Sequence, residues 1–525
     1  MTTSRNARVT VKRALVGVLA VVLVMGSGLT AGAGAAGQQH YETLFSIPIG
    51  DAGVSYELGG AGQQSWGPTA MAVGEDGNVW VADTVANRVL RYSSAGVLLD
   101  TIDMPATVVG IGDLEVRGGE LFVLDIAAGI PKVLRVDIST GSVAGTYDVP
   151  KVYSLPSGLS GIALGERGEV VLELAGGTTL VQLTDADGRL GANEIDGYEI
   201  DGRHLRVAGF EVTVREGATD RLVDVPHVAK WGGAVLLSAG TDRFDLVVEE
   251  AGLVKGDFVV DQLVRRFGWD GAPLGVARVP LNERLFFIPN GVATGPDGAI
   301  LALVPRSDRL DVVRLRLTHD IEPILSEQSR ALTDSDTVGT ESALAGCRSR
   351  QSMADTFHPY WNNYKYLSDT NINGSCTGRT TPRYLSTPRY YESVSYDWGG
   401  WDTVSGFNGY MSPGTRQAGD ITSGGSYSCS RGVDCSGLVS RVWGLSHKYG
   451  TSNLADVSVP VTGELKAWDI FLKSGHTALF VMWYGSGMYI GESTTANRYD
   501  RVVYRYVPTS WGDPYDVYRY ENVCP

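Results

Sequence analysis

The chain has 525 residues, of which 44 are Lys or Arg and 59 are Asp or Glu, and its formal net charge is −15. A chain of this length exceeds what one hydrophobic core usually organises, so we expect two or more domains. The acidic balance argues against nucleic acid as the main partner, because binding to a phosphate backbone needs clustered basic residues.

The first residues carry the pattern of a secretory signal peptide. A basic start that includes Arg5 and Lys12 is followed by the apolar run 14–25 and by small residues over 31–36. Because this apolar run is shorter than the roughly 20 residues that span a bilayer, a transmembrane anchor is not expected. We predict a signal peptide over residues 1–36 and a secreted protein that has no membrane segment after cleavage.

Residues 40–318 consist of short apolar runs separated by turns that contain Gly and Asp. In the clearest unit, residues 67–99, the turn 75–78 precedes the strand pattern 79–83, and weaker copies begin near positions 110, 158, 225 and 291. Repeated strands in units of roughly 40 residues predict a β-propeller. We expect about six blades, with five and seven as alternatives, and we expect residues 41–48 to return as the outer strand of the last blade.

The first unit resembles the NHL-type propeller repeat, which carries the pattern G-x-A-x-x-x-D-G-x-x-x-V-A-D…N-R-V. Here the pattern runs over residues 67–89, and it is degraded in the later units. The resemblance implies a propeller, and analogy with other propellers implies a protein or glycan ligand bound to it. The spacing of His40, His204 and His227 is not that of a metal site, so we predict no metal in this region.

Residues 319–345 form a polar stretch without strand alternation, which we interpret as a linker. The composition changes after it, because residues 346–525 contain all five cysteines and seven of the 11 tryptophans. A stretch of this length can form its own hydrophobic core, so we predict a second domain over residues 346–525.

The cysteine count is odd, which is informative in an exported protein. An even set is expected to pair in disulfides, and an odd cysteine stays outside them. If Cys435 is that residue, the other four can pair in three ways. We favour Cys347 with Cys524, which bracket the region, and Cys376 with Cys429.

Cys435 lies where a nucleophile is expected. It follows Asp434 and precedes apolar residues at helical spacing, which predicts a helix that begins at the cysteine. A thiol at the positive end of a helix dipole is favoured as a thiolate. His476 opens an apolar strand further along the chain, and Cys and His in this order are the minimum parts of a cysteine hydrolase. The alternative is a structural disulfide between Cys435 and Cys429.

Three motifs in this region resemble those of the NlpC/P60 family of cell-wall cysteine peptidases, over roughly residues 390–520. The family's Y-x-W-G-G appears at 396–400, its D-C-S-G-[LF]-V at 434–439, and its G-D-…-G-H-[VT] segment ends at 475–477. Trp468 departs from the pattern, because the family has glycine at this position before the aspartate.

The resemblance implies a role for each matching residue. Cys435 would attack a peptide carbonyl, and His476 would take the thiol proton and later give it to the leaving amine. The Cys435 backbone N–H, together with the Tyr396 hydroxyl, would stabilise the oxyanion.

The third catalytic position falls near Glu492, at the end of the next strand. Its carboxylate would bind Nδ1 of His476 and so fix the tautomer of the imidazole. Ser493 and Asn497 are the alternatives for this position.

The resemblance also implies a fold and a reaction. We expect a multidomain protein in which the propeller precedes an α+β papain-like domain, whose helix carries Cys435 and packs on an antiparallel sheet carrying His476 and Glu492. The expected reaction is hydrolysis of an amide in peptidoglycan stem peptides, with the bond between D-Glu and the diamino acid favoured. We expect no cofactor and no metal, a monomer, and a secreted or wall-associated location.

Two alternatives remain. In the first, the protein is a wall-binding or protein-binding propeller and its C-terminal domain is degenerate. In the second, the thiol chemistry is kept but serves acyl transfer or amide cleavage in another polymer, because nucleophile and base are the same for these reactions.

Overall fold

The computed structural model describes residues 40–59, 63–229, 231–254, 257–280, 285–325 and 346–524. The predicted signal peptide lies outside these residues, and so does most of the predicted linker. No helix in the described part of the chain combines the length and the apolar character that a membrane crossing needs.

The N-terminal half is built from short strands with buried apolar centres. Many of their connections turn at glycine; Gly77, for example, has φ 74°, a left-handed conformation that glycine adopts without steric cost. The strands are β1 (Tyr41–Pro48), β2 (Met71–Val73), β3 (Val79–Asp83), β4 (Arg88–Tyr92), β5 (Leu98–Asp103), β6 (Ile111–Arg117), β7 (Glu120–Asp125), β8 (Lys132–Asp137), β9 (Ser142–Asp148), β10 (Leu159–Leu164), β11 (Val170–Leu174), β12 (Thr179–Thr184), β13 (Leu190–Ile195), β14 (Tyr198–Ile200), β15 (Arg203–Ala208), β16 (Glu211–Glu216), β17 (Thr219–Val223), β18 (Trp231–Ala239), β19 (Arg243–Val254), β20 (Asp257–Gly268), β21 (Pro273–Arg278), β22 (Val292–Thr294), β23 (Ile300–Pro305) and β24 (Arg309–Leu315).

These strands form a β-propeller with five separate four-stranded blades. Four of the blades are the meanders β2–β5, β6–β9, β10–β13 and β14–β17, and the fifth has the order β1-β24-β23-β22. The pairing of Tyr41 with Leu315 confirms that residues 41–48 return as the outer strand of the last blade. The expected number of about six separate blades is too high by one, because β18–β21 belong to a larger sheet.

The C-terminal part is mostly β, and its described residues contain four short α-helices. The elements are α1 (Arg350–Trp361), β25 (Tyr364–Leu367), α2 (Asp369–Asn373), β26 (Arg389–Glu392), α3 (Val404–Met411), β27 (Gln417–Ala418), β28 (Ser430–Arg431), α4 (Cys435–Val442), β29 (Ser458–Pro460), β30 (Ile470–Lys473), β31 (His476–Tyr484), β32 (Gly487–Thr494), β33 (Arg501–Pro508) and β34 (Asp516–Tyr520). Short 3-10 turns lie at Lys151–Tyr153, Leu155–Ser157, Leu454–Val457, Ala496–Arg498 and Thr509–Gly512.

The C-terminal strands form an antiparallel sheet in the order β34-β30-β31-β32-β33, with β29 paired to β34. Helices α1 and α4 pack against this sheet, and Phe357, Leu438 and Leu479 are buried together between them. This mostly-β arrangement does not establish the papain-like α+β fold, which remains a prediction.

Both favoured disulfides are confirmed. Cys347 is bonded to Cys524 and Cys376 to Cys429, with Cα atoms 4.9 Å and 5.8 Å apart. Cys435 stays outside the bridges, which excludes its pairing with Cys429.

The propeller and the C-terminal strands share one hydrophobic core. Strand β20 pairs with β34 through one residue pair, Asp257 opposite Asp516. This pairing joins β18–β21 to the C-terminal sheet, which then has ten strands. Beside this junction the rings of Trp231 and Trp483 stack with their centroids 4.9 Å apart. Since both halves contribute to the same core, we expect them to unfold together.

Replacing Trp231 with Ala tests this coupling. Loss of a buried aromatic side chain is expected to lower the free energy of unfolding by about 3–5 kcal/mol. Urea titrations followed by fluorescence and by circular dichroism should show one shifted transition. The control is Leu222→Ala, because Leu222 is 72% exposed. A Trp231→Ala variant in which only one half is destabilised would contradict a shared core.

Candidate active site

Helix α4 begins at Cys435 because Asp434 caps it. The Asp434 carboxylate accepts hydrogen bonds from the backbone N–H of Gly437 at 2.7 Å and of Gly399 at 2.9 Å. Lys448 donates to the same carboxylate at 2.6 Å. The predicted helix start is therefore confirmed, and the capping residue also ties the helix to the Tyr396–Gly400 turn.

Close backbone approach explains a glycine of the cysteine motif. A Cβ atom on Gly437 would overlap the carbonyl oxygen of Gly400, so only glycine fits at this position. The two motifs that are far apart in sequence are thus in direct contact at the start of the helix.

The Cys435 side chain is buried, with 1% of the residue exposed. Burial, followed by the negative charge of Asp434, raises the pKa of its thiol to about 12, although the Thr477 backbone N–H partly opposes this rise. Burial therefore opposes the thiolate expected at the helix start and favours a neutral thiol in this site.

His476 and Glu492 are hydrogen-bonded in the same buried site. His476 Nε2 lies 2.7 Å from Glu492 Oε2, and both residues are 1% exposed. The sequence places Glu492 on Nδ1, but the structure places it on Nε2. A carboxylate at Nε2 holds the proton there and leaves Nδ1 as the acceptor of the neutral imidazole. Because burial lowers the pKa of His476, the neutral form is favoured.

Arg505 binds the other oxygen of the Glu492 carboxylate. Its Nε and Nη2 atoms lie 2.8 Å and 2.6 Å from Oε1 of Glu492. Burial alone would raise the pKa of Glu492, but Arg505 and the hydrogen bond to His476 outweigh it and bring this pKa to about 2. Sequence reasoning missed Arg505; the available signal was a lone Arg within the apolar strand pattern V-V-Y-R-Y-V.

Two more side chains surround the imidazole. The Tyr515 ring lies edge-on to His476 at 6.3 Å, and Lys473 Nζ lies 4.5 Å from the Tyr515 ring centroid. Burial lowers the pKa of Lys473 to about 8, although the nearby Glu492 opposes this. These residues keep the site dry and add a cation whose charge can change near neutral pH.

Tyr396 lies beside the cysteine, as the motif order implies. Its ring is 1% exposed, and burial together with the neighbouring Cys435 holds the pKa of its hydroxyl well above the usual range. Tyr396 is therefore protonated at neutral pH and retains a proton to donate.

The two alternative third residues are placed elsewhere. Ser493 donates to the Val433 carbonyl at 2.6 Å, which directs it to the loop before α4. Asn497 lies against Gly110 of the propeller. Of the three candidates, Glu492 is the one hydrogen-bonded to the imidazole.

Trp468, which departs from the glycine of the motif pattern, has the backbone conformation that glycine favours. Its φ is 73°, in the left-handed region that costs a non-glycine residue about 1–2 kcal/mol. Its carbonyl accepts a hydrogen bond from Trp443 Nε1 at 3.0 Å, and its ring packs on Phe357 with the centroids 5.4 Å apart. This packing offsets the backbone strain at Trp468.

No protein-family model matches the chain, and no curated protein matches it. The N-terminal half is a β-propeller. Solved structures similar to the chain include a streptogramin B lyase, with 16% identity, a TM-score of 0.29, and coverage of 48% of this chain and 94% of that one. Another is a member of the DUF4221 family from Bacteroides vulgatus, with 9% identity, a TM-score of 0.34, and coverage of 53% and 98%. At these identities the likeness concerns the fold alone.

The β-propeller contains a large cavity, but the cavity lies away from the cysteine. Its volume is about 1000 Å³, and Cys435, His476 and Glu492 are not among its lining residues. Within the described ranges, no group of three or more His, Cys, Asp or Glu side chains is placed to hold a metal ion. Cys435, His476 and Glu492 are each 1% exposed, so thiol, imidazole and carboxylate lie in a buried site apart from this cavity.

The closed site predicts slow alkylation of Cys435. With a pKa of about 12, the thiolate fraction at pH 8 is on the order of 10³-fold below that of an unfolded cysteine, so iodoacetamide should label the native protein at least that much more slowly. Mass spectrometry of unreduced protein with and without urea measures this ratio, and Cys435→Ala is the control. Rapid labelling of the native protein would mean that the thiol is exposed or ionised in solution.

Proposed function

We propose that the protein is a secreted or wall-associated cysteine hydrolase of the NlpC/P60 type. It would cleave an amide bond in peptidoglycan stem peptides, with the bond between D-Glu and the diamino acid favoured. The observation that carries the proposal is the 2.7 Å bond between His476 Nε2 and Glu492 Oε2, beside a cysteine at the start of a helix. The three sequence motifs around Tyr396, Cys435 and His476 support the choice of substrate.

The hydrogen bond between His476 Nε2 and Glu492 supports one direction for the proposed proton transfer. Glu492 holds the proton on Nε2, so the lone pair on His476 Nδ1 accepts the proton of Cys435 Sγ. The thiolate then attacks the carbonyl carbon, and the imidazolium returns the proton to the leaving amine. Water hydrolyses the resulting thioester, with His476 again acting as the base.

The start of the helix would stabilise the negative charge that develops on the substrate oxygen. The backbone N–H of Cys435 and the protonated hydroxyl of Tyr396 are the donors proposed for this oxyanion, and one such donor contributes about 3 kcal/mol to the transition state. The catalytic side chains proposed here are all buried, namely Cys435, His476, Glu492 and Tyr396. The proposal therefore requires the site to open before the substrate enters.

Digestion of purified peptidoglycan tests the proposal. The mature protein and its Cys435→Ala variant are incubated with walls of several types, and soluble products are identified by mass. Fragments ending in D-Glu should appear with the wild type and fall to background with Cys435→Ala. Met482→Ala is a matched control, because Met482 is 45% exposed and should release the same fragments. If no wall type yields such fragments, the result contradicts the substrate assignment.

A binding protein with a degenerate C-terminal part is the second candidate. The buried, neutral thiol and the large propeller cavity favour it. For a binding protein, Cys435→Ala should bind the wall or a protein partner as tightly as the wild type does. The wild type should then release no peptidoglycan fragments. Acyl transfer would instead be revealed by products that carry an added amine acceptor.

A further inference from the structure

The cavity of about 1000 Å³ is enclosed by the inner strands of the five blades and by β18 of the larger sheet. The lining strands are β2, β6, β10, β14, β18 and β22, and Ser486 and Tyr506 of the C-terminal part close one side. Ser486 and Tyr506 hydrogen-bond to each other at 2.8 Å, so this side is a fixed wall. A cavity of this size is at the upper end of those that hold small-molecule ligands.

One part of the wall carries three carboxyl groups that have no cationic partner among the described residues. Asp113 accepts a hydrogen bond from the backbone N–H of Ile162 at 2.8 Å, and Glu173 accepts one from the Tyr198 hydroxyl at 2.6 Å. Glu115 interacts electrostatically with both and has no hydrogen-bond or ion-pair partner among the described residues. Burial and then Glu173 raise the pKa of Glu115 to about 8, because no cation balances the two carboxylates.

The basic residues of the wall are engaged elsewhere. Arg167 pairs with Glu169 at 2.8 Å, and Arg215 pairs with Asp220 at 2.6 Å. Arg117 donates to two backbone carbonyls of the 165–166 turn. These arginines leave Asp113, Glu115 and Glu173 without a cationic partner among the described residues, and burial raises the pKa of all three carboxyls and so favours their protonated forms until a cation enters.

The opposite part of the wall is apolar. Val235 and Leu237 of β18 and Val292 of β22 line the cavity and are partly exposed to it. The strands adjoin in the order β6-β2-β22-β18, which puts Val235 and Leu237 across the cavity from Glu115. The cavity therefore offers carboxyl groups without a cationic partner on one side and apolar side chains on the other.

We propose that this cavity binds an organic cation, a ligand with a protonated amine on an apolar body, and that Glu115 is its counter-ion. An ammonium group would favour the ionised form of Glu115 and supply the cation that these carboxyls lack, while the apolar body would cover Val235 and Leu237. A free alkylamine and the side chain of a lysyl peptide share this chemistry. The inference does not depend on the proposed hydrolysis, because no residue of the Cys435 site lines the cavity.

Calorimetric titration of the mature protein with hexylamine, hexanol and hexanoate tests the charge preference. Hexylamine should bind at least 10-fold more tightly than hexanol, and hexanoate more weakly than both. A lysyl tripeptide and its N-ε-acetylated form distinguish a peptide ligand from a free amine. Binding of the unmodified tripeptide but not of the acetylated form supports the site with a lysyl peptide as its ligand. Binding of hexylamine without binding of the tripeptide supports the same site with a free amine as its ligand. Equal binding of hexylamine and hexanol, or no binding of any cationic probe, would overturn the proposal.

Glu115→Gln locates the site. It should weaken hexylamine binding at least 10-fold without changing the hexanol titration, whereas Glu194→Gln, at an exposed position outside the cavity, should change neither. Circular dichroism checks the fold of each variant, and Glu173→Gln replaces Glu115→Gln if the latter does not fold. Unchanged hexylamine binding in a folded variant would exclude these carboxylates as the counter-ion.

Discussion

Glu492→Gln is expected to lower turnover by about 10³–10⁴-fold with little change in KM. The carboxylate holds the proton of His476 on Nε2, and a neutral amide at this position allows the proton to move to Nδ1, where it blocks acceptance of the thiol proton. Loss of the correct tautomer in a catalytic triad costs this much even when the geometry is preserved. Steady-state kinetics on a stem-peptide substrate measure the effect.

The tautomer itself gives a second readout of this variant. Nitrogen NMR of 15N-labelled histidine should show the proton of His476 on Nε2 in the wild type and a mixture in Glu492→Gln. Glu194→Gln is the control, because that exposed glutamate lies on an outer strand. Full activity with an unchanged His476 spectrum would remove Glu492 from the mechanism.

Arg505→Met is expected to invert the pH dependence of stability contributed by Glu492. In the wild type the folded pKa of about 2 lies below the unfolded value, so ionised Glu492 stabilises the fold by about 3 kcal/mol above pH 5. That contribution is lost as the pH falls from about 4.5 to 2. Without Arg505, burial raises the pKa of Glu492 above its unfolded value, and stability then decreases as the pH rises through neutrality.

Urea unfolding of both proteins between pH 3 and pH 8 measures this difference. The gap between wild type and Arg505→Met should reach about 3–5 kcal/mol at pH 7, the usual cost of leaving a buried charge unpaired, and it should narrow by about 2 kcal/mol between pH 5 and pH 3. Arg189→Met, at an exposed position, controls for loss of a positive charge. Parallel pH profiles for wild type and Arg505→Met would show that Arg505 does not determine the ionisation of Glu492.

Local patterns predicted the features that depend on neighbouring residues. The turn-and-strand repeat predicted the propeller, the capping aspartate predicted the start of the helix at Cys435, and the odd cysteine count predicted two disulfides and one remaining thiol. The first two depend on residue type and spacing along a short stretch, and the third depends on a count of one residue type, so the sequence is sufficient for them.

Features that depend on burial were not predictable in the same way. The neutral state of Cys435 follows from the packing around it, and the bond to Nε2 of His476 follows from the relative placement of β31 and β32. The pairing of Asp257 with Asp516 joins segments that are distant in the chain, so no local sequence pattern predicts it. For the same reason, the number of separate blades could not be counted from repeats alone.

The shared core around Trp231 has a consequence for synthesis. The propeller segments are made first, and they present Trp231, Leu253 and Phe258 before their partners Phe471 and Trp511 exist. These side chains stay uncovered until the last strands leave the ribosome. A chain that ends before β34 would therefore carry a permanent apolar patch, so we expect premature termination to yield aggregated protein instead of a soluble propeller.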